Sequence, residues 1–469
     1  MSEEKENNQD KRIFDLVQEY EHSAAQGLSV FLGEGAYLEL ITYYEAEEQY
    51  ERALMVVETA LEQYRYSTDF YLRKGQLLLR TNRSQEALEV LELAATVSPG
   101  DLEISLLRAE VLAYLQRFDE ALGELAPFKL DANPDDLSDI FLVESLVYEQ
   151  REDYERMFYA LKAALKANPR NDEALERIWL CTSLCRKYEE SLELYRWIID
   201  EHPYSYLAWH NLGHGYAYLG QIDEAIEAYE YAFLIKDDFE DAYYDFADMC
   251  YEARRYEKAL ETYQEILERF VIDSELLVRI GECYHRLGQH ETARKQLERA
   301  ARLDPHNDEV FFLIGECYAS QERWQKACEF YNKAIRMEPE REDYYSALAE
   351  AGFELDDYEM AENAYREALD LSPDNVQLWL DLAWFLLEML RPAEALELMD
   401  EACSTLVDSE LTYARIACFF AAGQAWEALD QLNLALTDDY NGHTWLFEWM
   451  SELRHNPKVV ALLQLHRPE

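Results

Sequence analysis

Between Trp209 and Phe233 apolar residues recur at three- and four-residue intervals, stop, and begin again. Trp209, Leu212, Gly213 and Tyr216 share one face of a first helical stretch, and Ala225, Tyr229 and Ala232 share one face of a second. The spacing predicts two helices of roughly a dozen residues, each of which buries a face only if the two lie antiparallel and close. Small residues permit that approach. Gly213 and Ala225 are expected where the two helices cross, and Ala232 where the second helix meets the next pair. Trp209, Leu212, Tyr216 and Tyr229 are expected to fill the gaps between pairs. One pair alone leaves half of this surface open, so the pattern requires stacking.

The same pattern returns every 34 residues. From Ala225 the step reaches Ala259, Ala293, Ala327, Ala361 and Ala395 downstream, and Ser191 and Met157 upstream. Two extra residues near Asn133 reset the phase, after which Ala121, Ala87 and Ala53 hold the place; downstream one residue is lost and Ala428 fills it. Pro99, Pro169, Pro203, Pro305, Pro339 and Pro373 keep the same beat, expected at the end of each second helix, where proline stops the helix and sets the next turn.

The run W-x2-L-G-x2-Y…A-x3-F, here with Tyr229 in the Phe place, resembles the signature of the tetratricopeptide repeat (TPR) family. The resemblance is to an acidic multi-repeat protein of bacterial type with no appended catalytic domain. It implies an all-α fold: a right-handed superhelical α-solenoid of about twelve helix-turn-helix units, from about Gly33 to about Tyr440, with capping helices at both ends.

The expected organisation follows the chain. Residues 1–12 are polar and charged and read as a disordered tail. Residues 13–32, with Ile13, Leu16, Val17 and Tyr20 at helical spacing, read as a cap helix leading through LSVFLGEG (28–35) into the first unit. Units one to three occupy 33–137, with Pro127 inside the expected second helix of unit three, a candidate hinge or superhelix break, or a tolerated irregularity, the preferred reading because no glycine run accompanies it. Units four to twelve occupy 138–440. Residues 441–469 are out of phase and read as a C-terminal cap, a helix with Trp445, Trp449 and Leu453 followed by a short segment with Val459, Leu462 and Leu463; a partner-docking helix is the alternative.

Charge narrows the partner class. Forty-three Lys and Arg against 96 Asp and Glu give a formal net charge of -53. That excess argues against nucleic acid and against an anionic membrane surface, and a cationic protein or peptide is its complement. No apolar run approaches the roughly 18 residues of a membrane span, and the N-terminus has no hydrophobic signal region. Eight cysteines scattered along helices fit a reducing compartment, and the chain is expected in the cytoplasm.

In TPR proteins the first helices of the units line the inner face, where peptides bind. Carried onto this chain, one inward file runs His214, Asp248, Glu282, Glu316 and Glu350, and a second runs Asp241, Glu275, Glu309 and Asp343. Tyr244, Tyr251, Phe312 and Phe353 interleave them, and Asn211 and Asp245 occupy a third inward place. These residues describe a groove for a Lys- or Arg-rich segment, held by charge-assisted hydrogen bonds and cation–π contacts. The alternative is an assembly component or chaperone-like holdase that uses its convex face or capped ends, its acid serving solubility alone.

Other chemistry fares worse. The TPR domains that clamp a chaperone's C-terminal carboxylate need Lys and Asn where this chain is acidic or apolar. The asparagine ladder of sugar-transferring relatives is reduced to Asn211, its matching places holding Asp245, Arg279, Leu313, Ala347 and Asp381. His210 and His214 are one turn apart, with Asp245 or Asp248 able to approach; that set suits a divalent transition metal, but polar groove residues are the preferred reading and no metal is assigned. Cys283 and Cys317 have no obvious activating base, and the 181–185 CTSLC run has helical spacing. No phosphate loop, dinucleotide fingerprint or nucleophile elbow is present. No cofactor and no enzymatic activity are expected.

Overall fold

A computed structural model describes residues 12–22 and 31–467. The expected tail, Arg12 apart, and the first part of the LSVFLGEG turn lie outside them. The described residues form helices and turns, with no strand among them. Residues 12–22 are helical (α1) and bury Val17 and Tyr20.

From α2 (Glu34–Ala46) to α25 (Ala425–Asp438) the helices alternate between first and second members of a pair. The repeat is visible in where second helices begin. They start at Ile222, Tyr256, His290, Trp324, Tyr358 and Pro392, a constant step of 34 residues. Upstream, starts at Phe118 and Tyr154 carry the two extra residues, and Ala425 follows Pro392 one residue early. The alanines predicted at the crossing, from Ala53 to Ala428, are fully buried, and Met157 and Ser191 take the same place in α9 (Tyr154–Ala167) and α11 (Tyr188–Glu201) at 1% exposure each. Ser191 would be a liability there, but its hydroxyl is 2.8 Å from that of Thr182, so the polar atom is satisfied.

Local chemistry explains the boundaries. Each beat proline stands two residues beyond the last residue of its second helix, as Pro203 does after Glu201 and Pro373 after Leu371. Two residues further on, Asn171, Ser205, Asn307 and Asn375 accept from the first free amides of the next helix, as N-caps do. The signature tryptophans close the same turn: the indoles of Trp209 and Trp379 donate to the carbonyls of Pro203 and Pro373 at 2.9 and 2.8 Å.

The chain divides into two bodies, Met1–Met249 and Cys250–Glu469. In the first, cores centred on Tyr37, Phe70 and Val111 and on Phe158, Tyr195 and Ile198 are built from successive pairs. Its irregular point is α7 (Phe118–Leu125), which stops after eight residues; Pro127 lies in the 3-10 turn Ala126–Leu130 that follows. In the second body one core runs from Leu277 to Cys418 and another gathers Leu432, Leu446, Leu453 and Val459. The expected single C-terminal helix is broken. Helix α26 (His443–Trp449) ends before Leu453, which lies in the 3-10 turn Ser451–His455, and α27 (Pro457–His466) follows, its Pro457 unable to continue a preceding helix. Leu446, Leu453 and Val459 carry the burial there, whereas Trp445 is 36% exposed.

Candidate functional site

In the first body the site residues stand on α12 (Tyr206–Tyr218) and α14 (Glu240–Glu252). Asp241 is exposed at the start of α14, and Tyr244, Asp245 and Asp248 are half-buried along it. Asn211 is spent inside the fold. It is 3% exposed, and its amide donates to the Leu175 carbonyl at 2.7 Å, so it holds α12 against α10 (Asp172–Cys185) and offers nothing to a ligand.

His214 and Asp245 belong to a cluster rather than to separate files. His210 Nε2 is 2.7 Å from Asp245 Oδ2, and His214 Nε2 is 3.6 Å from the same oxygen. Trp179 stacks flat on His214 with centroids 4.5 Å apart, and the Tyr229 hydroxyl is 2.9 Å from its Nδ1. Burial, with His210 adding to it and Asp245 opposing, pushes the His214 imidazole down to about 4, so the ring is neutral at physiological pH. His210, one turn from His214 as its spacing in the sequence indicates, is the member closest to the carboxylate.

In the second body four predicted residues converge. Tyr251, Glu282, Phe312 and Glu316 line one small hollow of about 120 Å³, together with His285 and Arg286. The Tyr251 hydroxyl accepts from Arg286 Nε at 3.3 Å, and Glu316 accepts from the Tyr331 hydroxyl at 2.5 Å. Phe312 stacks on Tyr344 at 4.8 Å. Glu350 follows on α20 (Glu342–Glu354); burial raises its carboxyl above the usual range, with Asp381 and then Glu316 adding repulsion. Burial likewise raises Asp381 on α22 (Val376–Glu388), although Gln377 donates to it at 2.7 Å. Glu316 and Asp381 therefore both act on the charge of Glu350. Phe353, three residues after Glu350, packs against Trp384, centroids 5.4 Å apart, and Trp384 is 43% exposed. Trp384 stands 34 residues after Glu350, in the same file, so the repeat step alone would have found it.

The second file is less acidic than its sequence. Glu275 is paired with Arg279 at 2.8 Å and Asp343 with Arg341 at 2.7 Å, while Asp241 and Glu309 are exposed. Arginine one turn or two residues away cancels the local charge, a contribution that counting carboxylates by repeat position omits.

The paired helices and their constant step define a helical-repeat protein. Models of the tetratricopeptide repeat match residues 38–101, 210–274, 272–340 and 353–406, more than half of the chain, and the chain belongs to that family of protein-interaction scaffolds. Over 172 residues it is 26% identical to human Protein O-mannosyl-transferase TMTC1, covering 36% of this chain and 18% of that protein. Over 253 residues it is 23% identical to the TPR repeat-containing protein YpiA of Bacillus subtilis, covering 53% of this chain and 43% of that one. The chain thus spans less than half the length of either relative. Among solved structures, yeast Tom70 aligns over 92% of this chain and 99% of its own at 15% identity and a TM-score of 0.43. Cut9 with Hcn1 aligns over 86% and 97% at 16% identity and 0.37, and YrrB, described as having an unusual peptide-binding site, over 39% and 95% at 19% and 0.33. Among the described residues no helix is long and apolar enough to cross a membrane.

Proposed function

We propose that this protein is a cytoplasmic scaffold or adaptor that binds a Lys- or Arg-rich protein segment along its first-helix face, without covalent chemistry of its own. The trough of Glu316, Glu350 and Asp381 takes the cations, and Phe353 with Trp384 takes their alkyl stems. One observation carries the reading: Glu350 is largely withdrawn from water beside Asp381 and Glu316, and burial first, with their repulsion added, holds its carboxyl above the ordinary range. A cation seated among them relieves repulsion that the free protein must tolerate, so the gain is realised only on binding. Family membership supports a protein partner, the acidic balance disfavours nucleic acid and anionic membranes, and buried cysteines such as Cys181, Cys317 and Cys418 support a reducing compartment.

The test uses a labelled Lys-rich peptide and fluorescence anisotropy. Glu316→Lys, Glu350→Lys and Asp381→Lys combined are expected to weaken binding by at least about tenfold, or about 1.4 kcal/mol. Glu329→Lys, Glu359→Lys and Glu367→Lys, exposed on second helices, make the same change in charge and are expected to alter it only about twofold. Equal losses from both sets would overturn the site and leave nonspecific attraction to an acidic surface.

A further inference from the structure

We propose that His210, His214 and Asp245 form a binding site for a divalent transition-metal ion of the zinc type. The two histidines stand one turn apart on α12, and Asp245 reaches them from α14. Their nitrogens lie 2.7 and 3.6 Å from one carboxylate oxygen, and all three donor atoms fall within 4.8 Å of one another. A tetrahedral zinc ion about 2.0–2.2 Å from nitrogen and oxygen ligands needs its donors roughly 3.3 Å apart. The two measured separations bracket that value, so small rotations of the side chains bring the donors to an ion.

A hydrogen bond between His210 and Asp245 does not account for the whole arrangement. That bond uses one imidazole, yet His214 aims its Nε2 at the same oxygen from 3.6 Å, beyond hydrogen-bond reach. The ring of His214 is held for that purpose from two sides. Trp179 stacks on it at 4.5 Å with 16° between the planes, and the Tyr229 hydroxyl meets Nδ1 at 2.9 Å. In the tautomer whose Nδ1–H donates to the Tyr229 oxygen, Nε2 carries the lone pair that a metal needs, the way outer partners orient metal-binding histidines. The His210 ring is set edge-on to Phe239 and to His214, at 4.8 and 4.3 Å.

The donor set selects the ion. Two imidazoles and one carboxylate suit zinc, cobalt or nickel, whereas calcium and magnesium require a shell of oxygens. The side chains of His210, His214 and Asp245 are 10%, 20% and 33% exposed, so the carboxylate is the member most open to solvent. Because the ligands come from two successive first helices, a bound ion clasps neighbouring repeats and stabilises the folded chain in proportion to its occupancy.

The full-length protein, stripped with a chelator, is titrated with Co2+ and Zn2+ and followed by calorimetry, visible absorption and thermal unfolding. The expected result is one saturable ion per chain, a cobalt spectrum without thiolate charge transfer, and a raised Tm. Asp245→Asn and the pair His210→Asn with His214→Asn are each expected to lower affinity at least about tenfold at unchanged helical circular dichroism. Should the double variant fail to fold, Asp245→Asn and the cobalt spectrum of the unaltered protein decide. The proposal is overturned by the absence of saturable binding, by a thiolate signature, or by unchanged affinity in Asp245→Asn. None of these readings depends on the Lys-rich peptide, whose binding is proposed in the other body.

Discussion

Single residues set how closely the helices nest. A Cβ placed on Gly315 would lie 2.5 Å from the Tyr331 ring, and one on Gly213 2.6 Å from the Tyr229 ring. Gly315→Ala is therefore expected to cost about 1–3 kcal/mol through displaced packing, read as a lower midpoint in urea with helical content retained at low denaturant. The opposite is expected at Leu390. Every turn inside a pair has a residue with positive φ, running Glu48, Asn82, Gln116, Glu152, Arg186, Gly220, Arg254, Gly288, Glu322, Asp356, Leu390 and Gly423. Leu390 is 87% exposed at φ 55, so its left-handed backbone is strained and its side chain contributes little packing. Leu390→Gly is expected to raise the same midpoint by up to about 1 kcal/mol, the relief of strain exceeding glycine's added entropy in the unfolded chain. The glycines at the crossings were legible because the family spacing names them. The left-handed turn was not, because glycine fills only three of its places and Asn or Asp two more, while Glu, Gln, Arg or Leu at the rest carries no local signal.

Histidine adds a dependence on pH. Burial, with His290 and Arg286 adding repulsion, pushes His285 down to about 4. Its neighbours are His290 Nδ1 at 3.3 Å and Cys317 Sγ at 3.5 Å, with Glu282, Glu316, Arg286 and Tyr251 lining the same hollow. A folded-state value below the ordinary imidazole value means that the unfolded chain takes up the proton first as pH falls. Stability is then lost between about pH 6.5 and about 4, at no more than about 1.4 kcal/mol per pH unit. The raised carboxyls of Glu350 and Asp381 act with the opposite sign, regaining stability as they protonate. The comparison of wild type with His285→Gln isolates the histidine: the variant is expected to lose less stability over this window, and parallel curves would remove His285 as the cause.

At the scale of elements, the alanine and proline beats placed the helices because helix crossing and helix termination are local demands. The departures came from tertiary contacts. Pro127 ends α7 as its missing N–H requires, yet the turn that follows is not left loose: Lys129 is 2.6 Å from Glu144 and 4.9 Å from the Phe141 ring, and Phe128 packs on the core. Pro127→Ala is accordingly expected to shift stability by less than about 1 kcal/mol and to leave hydrogen exchange at residues 126–130 slow; rapid exchange in the unaltered protein would restore the hinge reading. The trough shows the same limit of sequence reasoning. Its acid file was legible from the step of 34, and one further step finds Trp384, but the neutralising arginines Arg279 and Arg341 arise from side-chain reach along helices. Repeat position does not encode that reach.

For the whole molecule, a formal charge of -53 sets two consequences of opposite sign. Self-repulsion among carboxylates opposes the folded chain more than the expanded one, so added salt is expected to raise Tm as screening shortens the Debye length from about 30 Å at 0.01 M to about 8 Å at 0.15 M. The same screening weakens attraction to a Lys-rich peptide. A salt series that follows Tm and peptide affinity on the same samples should therefore show one rising while the other falls. The trough variant supplies the discriminating comparison. If Glu316, Glu350 and Asp381 form the site, their reversal lowers both the affinity and its dependence on salt, whereas reversal of Glu329, Glu359 and Glu367 leaves the dependence nearly intact. If acid serves solubility alone, the two variants share one salt slope for binding, and a peptide affinity that does not fall with salt would remove charge from recognition altogether.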